Sequence, residues 1–122
     1  MARRRVLVVD DDPDMLNLLK ARLGGRYDVT STSAPKQVLA LARQQKPAVI
    51  VCDVHMPELD GVEISKALQA DKELRHIPLL FLTGLVSPEE IRRLSGQLGG
   101  RPAVSKREPV EKLIERIEAL LR

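Results

Sequence analysis

Aromatic side chains are nearly missing from this chain, which has one Phe, one Tyr and no Trp in 122 residues. A nucleic-acid surface that stacks bases on rings has little to build with. Cysteine is as scarce: Cys52 is the only one, so an internal disulfide is excluded, and inside an apolar run the thiol reads as a small buried hydrophobe. No apolar run approaches the ~20 residues of a membrane span, and no signal-peptide core follows the basic start. The expectation is a cytoplasmic protein with no membrane partner. Internal repeats and low-complexity segments are also lacking. The formal net charge is only +3, and Arg3-Arg4-Arg5 accounts for all of it. Residues 1–5 therefore read as a solvated basic flank, with no direct nucleic-acid binding by this chain.

What is present is an ordinary globular composition, 43% hydrophobic and 30% charged, of a length that suits one domain over residues 1–122. Its centre is Val49-Ile50-Val51-Cys52-Asp53-Val54-His55-Met56-Pro57. The apolar run is rich in β-branched residues and reads as a strand buried on both faces, as in a parallel sheet. Asp53 then stands at the carboxyl end of that strand, where open α/β sheets bind ligands. A second run, Val6-Leu7-Val8-Val9, ends in Asp10-Asp11-Asp12.

Helical spacing follows Pro13, through Met15, Leu16, Leu18, Leu19 and Leu23, until Gly24-Gly25. Asp12 is placed to cap it, with Pro13 as first helical residue. Tyr27 to Ser31 is a short strand candidate, and Ala34 to about Gln45 a second helix. Asp60-Gly61 opens a third helix ending near Ala70. Pro78 to Leu82 is an apolar run ending in Thr83-Gly84. Ser87-Pro88-Glu89-Glu90 is a capping box, from which a helix is expected to run to about Gln97 and stop at Gly99-Gly100. Ala103-Val104-Ser105 is the fifth strand, ending in Lys106, and a last helix carries Val110, Leu113, Ile114, Ile117, Leu120 and Leu121. The alternation predicts a doubly wound α/β fold, a five-stranded parallel sheet with helices on both faces.

Four strand ends thus offer Asp10 and Asp11, Asp53, Thr83 and Lys106. Carboxylates gathered at ~4–6 Å raise one another's pKa unless a cation intervenes. A hard divalent ion is implied, and Mg²⁺ suits one or two carboxylates, waters and a phosphate. The set is an inventory for phosphoryl transfer: a carboxylate nucleophile, acids for the metal, and a lysine and hydroxyl for the remaining phosphoryl oxygens. Gly84 leaves space beside the transferred group.

The motifs Val6-Leu7-Val8-Val9-Asp10-Asp11-Asp12-Pro13, Val51-Cys52-Asp53-Val54-His55-Met56-Pro57 with Asp60-Gly61, Phe81-Leu82-Thr83-Gly84 and Val104-Ser105-Lys106 resemble those of response-regulator receiver domains of bacterial two-component signalling. The likeness to the chemotaxis type covers essentially the whole chain. It implies a flavodoxin-like sheet of order 2-1-3-4-5. It implies that Asp53 accepts phosphate from a histidine kinase, a phosphotransfer protein or a small phosphodonor, with self-catalysed transfer and dephosphorylation rather than turnover of an external substrate. Asp10, Asp11, Asp53 and the His55 backbone carbonyl would hold Mg²⁺. Thr83 and Lys106 would grip the phosphoryl group and relay its presence to the face of the last two helices and fifth strand. That face would meet a downstream partner or effector domain, or a second copy in a homodimer. His55 and Leu85 occupy positions that in such domains tune the lifetime of the acyl phosphate.

Two departures bear on output. Ala103 stands where the family usually has a Tyr or Phe that rotates with the threonine, and Arg107 where a proline usually follows the lysine. An alanine methyl has no rotamers to switch, so the output switch is expected to be atypical. A phosphorylation-independent adaptor is the first alternative. A haloacid-dehalogenase-like phosphatase with Asp10 as nucleophile is the second; it would leave Asp53 without a role.

Overall fold

The computed structural model describes residues 3–122. Five parallel strands form the sheet: β1 (Arg5–Val9), β2 (Asp28–Thr32), β3 (Val49–Cys52), β4 (Leu79–Thr83) and, after a short antiparallel strand β5 (Gln97–Leu98), β6 (Arg101–Ser105). Their spatial order is β2-β1-β3-β4-β6-β5. The parallel strands therefore stand in the expected order, and β5 is an addition at the outer edge of β6.

Successive residues of each inner strand point to opposite faces, and both faces are covered. From β1, β3 and β4, Leu7, Val9, Ile50, Cys52, Leu79 and Phe81 face one cluster, closed by Val38 and Ala42 of α2 (Val38–Gln45), Ile64 and Leu68 of α3 (Gly61–Ala70) and Ile91 of α4 (Pro88–Arg93). Val6, Val8, Val49, Val51, Leu80 and Leu82 face the other, closed by Leu16, Leu19 and Leu23 of α1 (Pro13–Leu23) and Leu113 and Ile117 of α5 (Val110–Leu120). Each such side chain contributes roughly 1.5–3 kcal/mol by leaving water. This two-sided burial holds the strand ends rigidly at one edge of the sheet.

Several boundaries agree with the sequence reading. Asp12 caps α1 by accepting from Asp14 N–H, with Pro13 in the first turn, and Asp60 and Ser87 each form a capping box with a glutamate three residues on. β2 starts at Asp28 rather than Tyr27, and the stretch from Pro35 begins as a 3-10 turn before α2. The fourth helix is the real departure. It ends at Arg93 rather than near Gln97, because Ser95 and Gly96 take φ of +60° and +75°. Gly99 and Gly100, at φ +57° and +78°, then turn a hairpin between β5 and β6. Positive φ at both central residues is what a two-residue hairpin of this hand requires. Leu98 packs on the cluster that holds Phe81, Ile91 and Ala103, supplying cover that further turns of α4 would otherwise give.

Of the basic flank, Arg3, Arg4 and Arg5 lie among the described residues, and they are exposed but engaged. Arg3, Arg4 and Arg5 each donate to a backbone carbonyl, of Gly24, Leu121 and Gln45 in turn. These carbonyls lie at the C-terminal ends of α1, α5 and α2. Three helix termini carrying partial negative charge are thus met by three guanidinium groups.

Candidate functional site

The chain leaves β1, β3, β4 and β6 at the same sheet edge, so the strand pairings bring the polar residues together. Val9 pairs with Cys52, Cys52 with Phe81, and Thr83 with Ser105. The residue after each strand carries the chemistry: Asp10 after β1, Asp53 after β3, Lys106 after β6. Asp53 N–H still bonds to Val9 O at 2.9 Å and Lys106 N–H to Thr83 O at 2.7 Å, which fixes the backbone from which each side chain departs.

Asp10, Asp11 and Asp53 present carboxylate oxygens that all lie within 4.8 Å of one another. Asp10 and Asp53 are buried, at 2% and 7% exposure, while Asp11 is exposed. Lys106 Nζ stands 2.7 Å from Asp10 Oδ2 and 3.5 Å from Asp53 Oδ2. One cation therefore faces three anions. Burial and the Asp10 charge raise the Asp53 pKa, Asp11 adds to the rise, and the Lys106 cation and the His55 N–H donated to Asp53 pull it back. Burial acts to lower the Lys106 pKa, but its hydrogen bond and charge contact with Asp10, joined by Asp53, outweigh that and raise it. Lys106 is a permanent cation at neutral pH.

A cluster of three carboxylates with one lysine is short of positive charge. Hard oxygen donors at this spacing, one of them open to water, fit a Mg²⁺-sized divalent ion that keeps part of its hydration shell. The fit rests on the donor set.

Thr83 is 1% exposed at the end of β4, and its Oγ1 accepts from Leu85 N–H at 3.1 Å. It belongs to the rim of the site through the Lys106 backbone bond, and its hydroxyl currently orders the turn into α4. Gly84 has Lys106 Cδ 3.6 Å from where a Cβ would stand, an ordinary contact. Asp12 turns away: it caps α1, and its own N–H donates to Asp10 Oδ1 at 3.0 Å. Ala103 is buried at 1% in β6, with an open groove of about 390 Å³ beside it between α4, β6 and α5.

Cys52 is fully buried on the strand face opposite Asp53, and burial followed by the Asp53 and Asp10 charges pushes its thiol far up. It is inert as a nucleophile. Its Sγ lies 3.2 Å from the Asp53 carbonyl oxygen, a supporting contact that residue type alone does not announce. Ser105 reads from the sequence only as a strand residue before Lys106. Its hydroxyl accepts from Arg107 N–H at 3.2 Å and shapes the loop after Lys106 without a proline; Ser at a strand end followed two residues on by a free N–H is the signal for such a turn.

Among the described residues no helix is long and apolar enough to cross a membrane. A family model for the response regulator receiver domain matches residues 6–118. The polar-differentiation response regulator DivK of Brucella ovis is 31% identical over 119 residues, covering 97% of this chain and 96% of that protein. The alkaline phosphatase synthesis transcriptional regulatory protein PhoP of Bacillus subtilis is 35% identical over 121 residues, 98% of this chain but 49% of the regulator. Among solved structures, chemotaxis protein CheY4 of Vibrio cholerae superposes with a TM-score of 0.82 at 29% identity, covering 98% of this chain and all of that one. A match over nearly the whole chain, on a fold whose strand ends collect these acids and this lysine, leaves one conclusion: the chain belongs to the response regulator receiver domains of two-component signalling.

Proposed function

We propose that this receiver accepts a phosphoryl group on Asp53, from a histidine kinase, a phosphotransfer protein or a small phosphodonor, and changes its binding to a downstream partner while the acyl phosphate lasts. The observation that carries this reading is the placement of Lys106 between Asp10 and Asp53, with Asp11 open to water beside them. An Asp53 carboxylate oxygen attacks phosphorus, forming a P–O bond. The P–N bond of a phosphohistidine, or the P–O bond of acetyl phosphate, breaks, and its electron pair leaves with the imidazole or the acetate. Lys106 meets a phosphoryl oxygen, and Thr83 turns its hydroxyl from Leu85 N–H toward another. Asp10, Asp11, Asp53 and the His55 carbonyl would hold Mg²⁺, which when bound neutralises phosphoryl oxygens. Hydrolysis of the same bond by water ends the signal.

Output proceeds without a rotating aromatic. Release of the Leu85 N–H by Thr83 loosens the turn into the short α4, on the wall of the groove beside Ala103. Arg116 of α5 spans from the other wall, donating to Gly96 O at 3.1 Å. A shift of α4 against this contact is the change a partner reads. A cytoplasmic location suits a kinase as donor.

Intact-mass spectrometry with Mg²⁺ and acetyl phosphate tests the reading. One phosphate-sized adduct on the parent chain and none on Asp53→Ala is the expected result. An unmodified parent that still binds Mg²⁺ would favour the phosphorylation-independent adaptor.

A further inference from the structure

Gly61 is the first residue of α3, and its backbone is outside the left-handed region. What it needs is space. A Cβ at this position would stand 2.4 Å from the Asp53 carbonyl oxygen, 3.0 Å from Val54 Cα and 3.0 Å from Phe81 Cε1. Two of these are backbone atoms, and Phe81 is fully buried, so none can step aside cheaply. The reciprocal bonds of Asp60 and Glu63 anchor the first turn of α3, which keeps residue 61 from backing away.

The same contact reaches the carboxylate by hydrogen bonds. Gly61 N–H donates to Val54 O at 2.8 Å. The other end of that peptide unit is the His55 N–H, which faces the Asp53 carboxylate and acts to lower its pKa. Helix α3 therefore holds the Val54–His55 peptide at its oxygen, and the nitrogen of the same peptide is the one turned toward the Asp53 side chain. The adjoining Asp53–Val54 peptide is wedged between Cys52 Sγ, at 3.2 Å, and the bare α-carbon of Gly61.

We infer that Gly61 is a positioning residue for the phosphoacceptor: its missing side chain lets α3 seat on the Asp53–Val54 peptide and, through the Val54–His55 peptide, aims the Asp53 carboxylate at the acid cluster. The inference rests on Asp53 as the phosphoacceptor. A methyl at 61 would tilt both peptides, moving the His55 N–H away from the carboxylate and displacing the His55 carbonyl proposed above as a metal ligand.

Gly61→Ala is compared with Gly25→Ala, where an added Cβ meets nothing within 4 Å. The first readout is the His55 amide in ¹H–¹⁵N spectra, taken without metal or phosphodonor. It should move upfield in Gly61→Ala and stay put in Gly25→Ala. Calorimetry with Mg²⁺ should then show affinity about tenfold weaker, and phosphorylation about 10- to 100-fold slower, as for other losses of a group that orients a ligand, with half-saturation by acetyl phosphate unchanged. An unmoved His55 amide with parent-like Mg²⁺ binding would overturn the inference. Should Gly61→Ala not fold, the parent decides: its His55 amide must sit at low field and lose that position in Asp53→Ala, and an ordinary shift overturns the inference. A responsive His55 amide in a parent that takes no phosphate supports the hold of Gly61 on the loop and counts against the phosphoacceptor reading alone.

Discussion

Replacing Asp53 by Asn should stabilise the metal-free protein. The oxygens of Asp10 and Asp53 lie within 4.8 Å, and at an effective dielectric constant of 20 such a pair repels by ~3.5 kcal/mol. Lys106 at 3.5 Å attracts Asp53 by ~4.7 kcal/mol on the same scale. Because 4.8 Å is an upper limit on the Asp10–Asp53 separation and Asp11 adds a smaller repulsion, the pairwise charges leave no net attraction. Burial of the carboxylate then decides the sign, leaving a net penalty of about 1–3 kcal/mol. The pH dependence follows from the raised Asp53 pKa. Between the ordinary carboxylate value and the raised one, the folded state binds more protons than the unfolded state, so this group adds stability as pH falls through that window and none of it at neutral pH. Asp53→Asn should lack that gain and start from a higher baseline. The assay is urea unfolding at pH 7 in EDTA, repeated with Mg²⁺. Metal at a hundred times its Kd adds about 2.7 kcal/mol to the parent and less to the variant, so the order should narrow or invert. A variant less stable than the parent in EDTA at pH 7 would refute the charge accounting.

Other consequences concern the lysine, the flank and the hairpin. Lys106→Gln should slow phosphorylation by acetyl phosphate about a hundredfold, the usual effect of losing one preorganised charge partner, while Mg²⁺ affinity measured by calorimetry does not weaken. Changing Arg3, Arg4 and Arg5 together to Gln should cost about 1–3 kcal/mol in urea unfolding, at roughly 0.3–1 kcal/mol per helix end, with a smaller difference at high salt. Ser95→Gly should raise stability by about 1 kcal/mol, because glycine adopts the φ of +60° found there without the penalty of a side chain; an unchanged melting temperature would count against strain at that turn.

The parts of this molecule legible in its sequence are those where local chemistry and tertiary packing agree. Apolar runs ending in Asp10, Asp53, Thr83 and Lys106 could hardly be anything but inner strands of a parallel sheet, and the caps at Asp12, Asp60 and Ser87 mark helix starts that the packing leaves alone. The fourth helix shows where agreement ends. Gly99-Gly100 is a plausible helix stop, yet the chain leaves the helix earlier, at Ser95, and spends the glycines on a hairpin; only the pairing of Gln97 with Pro102 and Leu98 with Arg101 makes that choice visible. The roles of Arg3, Arg4 and Arg5 were hidden for a similar reason, since their partners are carbonyls up to 117 residues away. At the site, residue types announced the acids, the lysine and the threonine. The steric demand on Gly61 and the backing of the Asp53 carbonyl by Cys52 depend on distances that no spacing rule contains.

Phosphorylation of Asp53 is best tested by trapping the acyl phosphate. The protein is incubated with Mg²⁺ and acetyl phosphate, reduced with borohydride, digested and mapped by mass spectrometry. Reduction of an aspartyl phosphate leaves homoserine, and the account predicts it at position 53 and nowhere else. Homoserine at position 10 would transfer the chemistry to the other buried carboxylate, and its absence from every peptide of a protein that binds Mg²⁺ would contradict the account.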